Sequence, residues 1–251
     1  MIFVDKESKH LPKPLLDAIV SFDKDKVAHE YSITELTAPL WKTYLRRKYN
    51  IGLGTSKAIN VFLGLCVHKV IEEHYDNKRF VGENAIEFRT KVDKKLYITG
   101  RPDCYDKKEK ILYDFKVIRE HECSRMLNGH DHPEYFMQLN GYKVFGLPEA
   151  KKLVLVCIIK DWSQTKTDKS SIYLPIQLVE VPIMNKVEVK DYFISRARKL
   201  DKMLSSKEIP VSEACTFYEA WGGKRCRFYC EANQKCQELL GENFMNFDIS
   251  V

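Results

Sequence analysis

The stretch that decides the fold is Gly100-Arg101-Pro102-Asp103-Cys104-Tyr105-Asp106-Lys107-Lys108-Glu109-Lys110-Ile111-Leu112-Tyr113-Asp114-Phe115-Lys116. Residues 95–104 and 111–117 alternate with period two around the polar run 106–110, and residues 85–92 carry the same pattern ahead of them. Three consecutive strands in an antiparallel meander are expected. With the turn centred between Lys108 and Glu109, residues equidistant from that centre face each other, which sets Asp103 opposite Asp114. Opposed Cβ atoms in such a pair lie about 4.5 to 5.5 Å apart, where two like charges are unfavourable unless something neutralises them. A divalent cation does so. Alternation also places Asp114 and Lys116 on one face and turns Phe115 the other way, into the core. Hard cations such as Mg²⁺ or Mn²⁺ take a few carboxylates and leave positions for water and phosphate oxygens, so the site suits a phosphodiester, with Lys116 orienting the attacking water or stabilising charge on phosphorus. The competing reading of the same residues is a surface hairpin with a cross-strand ion pair.

Outward from the hairpin, the period is helical. Ser32 and Glu35 have capping-box spacing and predict a helix from Thr34 to Tyr49 whose end carries Lys42, Arg46, Arg47 and Lys48. Lys57 to Tyr75 predicts a second helix, with His68 and, one turn later, Glu72. Pro133 opens a helix through Phe145, closed by Gly146 and Pro148, on which Gln138 and Tyr142 stand at i and i+4. Strands are expected at 152–160 and 177–183, and an amphipathic helix at 186–204 bearing Arg196, Arg198, Lys199 and Lys202. His121, His130 and His132 fall in what reads as a solvent-exposed loop. Both basic groups are candidate phosphate contacts, or solvated helix faces.

The order His68, Pro102-Asp103, Asp114-Phe115-Lys116 and Gln138-Leu139-Asn140-Gly141-Tyr142, over roughly residues 60 to 145, resembles the PD-(D/E)XK nuclease superfamily in its RecB-like branch. The resemblance implies an α/β restriction-endonuclease-like core, a mixed central sheet flanked by helices. It implies that His68, Asp103, Asp114 and the Phe115 carbonyl bind Mg²⁺ or Mn²⁺, that Lys116 is catalytic, and that Gln138 and Tyr142 support the site or the DNA. The implied activity is metal-dependent DNA hydrolysis on single strands or duplex ends, an exonuclease rather than an endonuclease. A non-catalytic DNA-binding scaffold in a recombination or CRISPR-adaptation complex is the alternative from another class.

Cys215, Cys226, Cys230 and Cys236 lie in a basic aromatic segment with Trp221, Phe228 and Tyr229. Four thiols this close suit a tetrahedral Zn²⁺ or a [4Fe–4S] cluster, and their spacing does not choose. CRISPR-adaptation nucleases and related RecB-like proteins hold a [4Fe–4S] cluster by three C-terminal cysteines and one far upstream. Here Ala38 and Pro39 stand near the place of that upstream cysteine, so Cys215 is expected to replace it. The expected division is a core at 1–208 and a cysteine module with a tail at 209–251. Cys66, Cys104, Cys123 and Cys157 are scattered in apolar stretches and are expected to pack.

Composition bounds these readings. The 251 residues are 44% hydrophobic and 30% charged, ample for a packed core and too apolar for a disordered chain. Apolar runs such as 153–159 stop far short of the roughly 18 residues of a membrane span. The opening MIFVDKESKH shows no signal-peptide pattern, so an intracellular setting is expected. The formal net charge of +6 is compatible with a phosphate-bearing partner.

Overall fold

The computed structural model describes residues 2–4, 6, 8–21, 27–130, 132–163 and 174–244; the tail at 245–251 lies outside the described residues. In chain order the elements are β1 (Ile2–Phe3), α1 (Lys13–Ser21), β2 (Glu30–Ser32), α2 (Ile33–Thr37), α3 (Leu40–Lys48), β3 (Leu53–Gly54), α4 (Thr55–Glu72), β4 (Phe80–Gly82), α5 (Glu83–Ile86) and β5 (Phe88–Lys91). They continue with β6 (Tyr97–Gly100), β7 (Cys104–Asp106), β8 (Ile111–Ile118), α6 (Glu120–Leu127), α7 (Pro133–Phe145), β9 (Lys152–Ile159), β10 (Ile176–Val181), α8 (Lys186–Ser205), α9 (Lys224–Phe228) and α10 (Asn233–Leu240). Two compact units emerge. One comprises Met1–Ile59, Val92–Tyr97 and Ile194–Val251, and the other Asn60–Lys91 and Ile98–Phe193. Among the described residues no helix is long and apolar enough to cross a membrane.

The second unit is built on a five-stranded sheet of order β10-β9-β8-β7-β4. Strands β8 and β9 run parallel along all eight of their residue pairs, and the other neighbours are antiparallel. The class is therefore α/β with a mixed sheet, as expected of a restriction-endonuclease-like core. A parallel pair needs a long crossover, and residues 119–151 supply it through α6 and α7, which pack on the sheet. The continuous apolar run of β9 fits a strand covered on both faces, and Leu153, Leu155 and Cys157 are fully buried.

The hairpin has the expected register, with Cys104 opposite Tyr113, Tyr105 opposite Leu112 and Asp106 opposite Ile111. Its turn is fixed by Asp106, whose Oδ1 accepts from the backbone N–H groups of Lys108 (2.9 Å) and Glu109 (3.0 Å), while Oδ2 accepts from Arg79 Nε (2.9 Å) and Nη2 (2.6 Å). Lys110 closes the turn in the left-handed region at φ 58°. The meander itself is corrected. Residues 83–86 are a helical turn, and the expected second strand divides at Arg101-Pro102 into β6, which neighbours β5 in another sheet, and β7. Proline has no N–H to give to a ladder, so the chain changes sheets there.

In the first unit the Ser32–Glu35 capping box is present, with the Ser32 hydroxyl accepting from Glu35 N and Glu35 Oε2 accepting from Ser32 N. The single helix expected at 34–49 is two, because Pro39 forces Ala38 out of the helical region and ends α2. The carbonyls released at that break are taken by Arg196, which donates to Leu36 O and Ala38 O at 2.6 Å each. Tyr31, Ile33, Leu36, Trp41, Tyr44 and Leu45 form the adjoining core.

The Arg79 guanidinium holds the Asp106 carboxyl below its ordinary range, aided by the turn amides. Asp106→Asn is therefore expected to lower unfolding stability by about 1–3 kcal/mol near neutral pH. A depressed folded-state pKa stabilises above the unfolded value, about 3.9, and that advantage fades as pH falls below it. Urea midpoints of wild type and variant should differ more at about pH 7 than at about pH 3; an equal gap at both would contradict this account.

Candidate active site

The antiparallel ladder ends at Cys104 and Tyr113, so the next residues outward, Asp103 and Asp114, stand side by side at its open end. Both are buried, Asp114 to 1% exposure. Asp103 Oδ2 accepts from the backbone N–H of Phe115 at 2.7 Å, and its carbonyl accepts from Tyr75 Oη at 3.1 Å. Asp114 Oδ2 lies 2.6 Å from Lys116 Nζ, and its Oδ1 accepts from Gln138 Nε2 at 3.3 Å. Gln138 also donates to Tyr142 Oη at 2.9 Å, so α7 secures Asp114 by a relay of two side chains one helical turn apart. Lys116 Nζ lies 5.3 Å from the centre of the Tyr135 ring.

His68 reaches the same place from α4. Its Nε2 is 2.9 Å from Phe115 O, and its Nδ1 is 3.5 Å from Asp103 Oδ1 and 3.8 Å from Glu83 Oε1. His68, Glu83 and Asp103 each offer a ligand atom, all three within 4.8 Å of one another. Glu83 was not legible as a site residue, because residues 85–92 read as a strand and gave no reason to place a carboxylate at its start. The signal was present in Gly82-Glu83, an acidic residue in the first turn of α5. Glu72 does not join His68; its carboxylate accepts from Asn84 at 3.1 Å.

Electrostatics follow from burial and proximity. Burial first, then the neighbouring Asp114 charge, raises the Asp103 carboxyl above its ordinary range. Burial works against the charge on Lys116, but Asp114 and Asp103 outweigh it and hold the amine protonated. Burial likewise opposes charge on His68, and Glu83, Asp103 and the Phe115 carbonyl more than offset it. Among the described residues His68, Glu83 and Asp103 are the three whose ligand atoms come together, a mixed nitrogen and oxygen set that fits a divalent ion once the imidazole is neutral, while Asp114 stands beside them, paired with Lys116.

Several expected placements differ. Phe115 is half-buried and meets the His68 ring edge-on at 6.1 Å rather than entering the core. His121 lies in α6, not in a loop, and His132 is half-buried, stacked on Tyr135 at 3.8 Å. Most of the two basic groups is held within the chain: Lys42 and Arg46 pair with Glu231, Arg47 with Glu35, Arg198 with Asp93 and Lys199 with Glu213, while Lys202 is exposed. Cys104, Cys123 and Cys157 are buried and Cys66 is half-buried.

In the first unit Cys215, Cys226, Cys230 and Cys236 line one cavity with Trp41, Lys42 and Leu45. Trp41 Nε1 donates to Cys236 Sγ at 3.2 Å. Burial pushes all four thiols up, Cys215 to about 12, with the other three sulfurs adding to that rise at Cys215.

No family model matches the sequence, and no curated protein matches it. Among solved structures the chain is similar to the protein SSO0001, at 18% identity over 88% of this chain and 93% of that one, with a TM-score of 0.54, a likeness of fold. An alkaline exonuclease from Laribacter hongkongensis aligns at 10% identity over 70% of this chain and 90% of that one, with a TM-score of 0.43.

Replacing Gln138 with alanine leaves Asp114 Oδ1 and Tyr142 Oη without the amide that joins them. The expected loss is about 1–3 kcal/mol of unfolding stability, read from urea denaturation; an unchanged midpoint would show that the relay carries no structural weight.

Proposed function

We propose that the chain is a divalent-metal-dependent DNA nuclease acting on single strands or duplex ends, an exonuclease. The observation that carries this reading is the buried convergence of Asp103, Asp114 and Lys116 at the end of one hairpin, with Lys116 Nζ 2.6 Å from Asp114. A structural ion pair needs one carboxylate; a second buried beside it, with His68 and a backbone carbonyl in reach, suits a site for a cation and a phosphate. Asp103, Asp114, His68 and the Phe115 carbonyl are the proposed ligands, and Glu83 joins them. A divalent ion bound there would supply Lewis-acid polarisation of the phosphodiester and a more acidic water. Lys116, kept protonated by its carboxylate neighbours, offers N–H donors to a phosphate oxygen as negative charge builds on it. Gln138 and Tyr142 hold Asp114 in the orientation that this requires, and Tyr135 limits the positions open to the amine.

Labelled single-stranded and duplex DNA incubated with Mn²⁺, Mg²⁺ or EDTA tests the reading. Cleavage should need the metal and fall at least about 100-fold in Asp114→Ala and Lys116→Ala, with circular dichroism unchanged. Full activity of both variants would remove it. Glu83→Gln should weaken Mn²⁺ binding in calorimetry about 10-fold; unaltered affinity would take Glu83 out of the ligand set.

The cysteine cavity is proposed to hold a [4Fe–4S] cluster with a structural role. All four thiols line one cavity, which supports a bound inorganic group there, with a tetrahedral zinc as the alternative. Anaerobically purified protein should be brown with broad absorbance near about 400 nm and contain iron; a colourless protein with one zinc per chain would decide for the alternative.

A further inference from the structure

Among the described residues, every aromatic side chain that ranks with the strongly exposed apolar residues lies between positions 217 and 229; the other strongly exposed apolar residues are all aliphatic. Tyr218 is 84% exposed and Phe228 68%, with Tyr229, Trp221 and Phe217 also open to solvent. Rings of this size are normally buried, because each hides a large apolar area.

Their presentation is built rather than incidental. Trp221, Gly222 and Gly223 adopt φ of 52°, 61° and 87°, three successive left-handed residues, and the loop is closed by Gly222 N donating to Phe217 O at 2.9 Å and Arg225 N to Ala220 O at 3.0 Å. The buried Arg225 guanidinium lies 4.0 Å from the centre of the Trp221 ring. Trp221 in turn meets Tyr229 edge-on at 5.8 Å, and Tyr229 meets Phe228 at 6.5 Å. Cys226 and Cys230 tie the same segment to the cysteine cavity. Lys224 and Arg227, both exposed, interleave with the aromatic residues along the segment, while the nearby Glu219 carboxylate is turned onto the Thr216 N–H at 3.1 Å.

We infer that this face binds single-stranded nucleic acid, the bases stacking on Tyr218, Phe228 and Tyr229 and the phosphates meeting Lys224 and Arg227. Stacking tolerates any sequence because every base has a π face, and the adjacent cations match the backbone charge. A second copy of the chain fits less well, since a self-complementary contact would set the same cations against each other. The inference deepens the nuclease reading and rests on it for the choice of DNA as the strand.

The test uses the full chain in EDTA and measures fluorescence anisotropy of a labelled oligo(dT). Tyr218→Ala combined with Phe228→Ala, both at solvent-exposed positions, should weaken binding about 30-fold with little change in salt dependence. Lys224→Ala combined with Arg227→Ala should lower the slope of log affinity against log salt by about 1.4. Wild-type affinity in the aromatic pair would overturn the inference. So would loss of self-association in sedimentation with oligo(dT) binding retained, which would make the face a contact between copies. If Asp114→Ala and Lys116→Ala cleave normally while the aromatic pair still loses binding, the nuclease reading fails and the surface stands.

Discussion

Asp103 and Asp114 are held side by side at the end of a buried hairpin, and the second unit is arranged around that constraint. At the roughly 5 Å spacing typical of opposed cross-strand residues, two carboxylate charges repel by roughly 3 kcal/mol at an effective dielectric of about 20. Each therefore carries its own compensation: the Phe115 N–H and His68 for Asp103, and Lys116 and the Gln138 amide for Asp114. The elements that deliver these groups are α4, β8 and α7, and each has a structural reason of its own to be where it is. The hairpin register rests on the Asp106 turn, the placement of β8 on its long parallel ladder with β9, and α7 on the crossover between them.

Polar burial on α7 extends past the site. Asn140 is fully buried and hydrogen-bonds to Phe136 O, Pro182 O and Met184 N, fastening the connection after β10 to the same helix that steadies Asp114. A helix with buried Gln138, Asn140 and Tyr142 has little amphipathic contrast, and satisfied amides do the positioning that a purely apolar face could not do with the same directionality.

Much of this was legible in the sequence where chemistry is local. The hairpin register followed from a polar turn flanked by alternating strands, α7 from Pro133 and Gly146, and the start of α2 from Ser32 and Glu35. What was missed depends on tertiary contacts. Pro102 and Pro39 break elements whose side-chain pattern runs straight through them, and only the strand partners and the Arg196 guanidinium show where the chain goes instead. Glu83 was missed because a four-residue helix has no period to read. The basic residues looked like a phosphate track because a sequence shows charges without their partners; Glu231, Glu35, Asp93 and Glu213 lie 12 to 189 positions away from the cations they meet. Residues 120–127 read as loop since their apolar positions, Cys123, Met126 and Leu127, are few and crowd the end of the segment.

Glu231 carries a consequence of its own. It is nearly buried between Lys42 and Arg46 of α3, and those two cations hold it ionised against the effect of burial. The wall of the cysteine cavity is thereby latched to α3 through charge, independently of sulfur chemistry. The segment that carries Cys230 therefore keeps its seat on α3 through ion pairs whose strength does not depend on the state of its thiols.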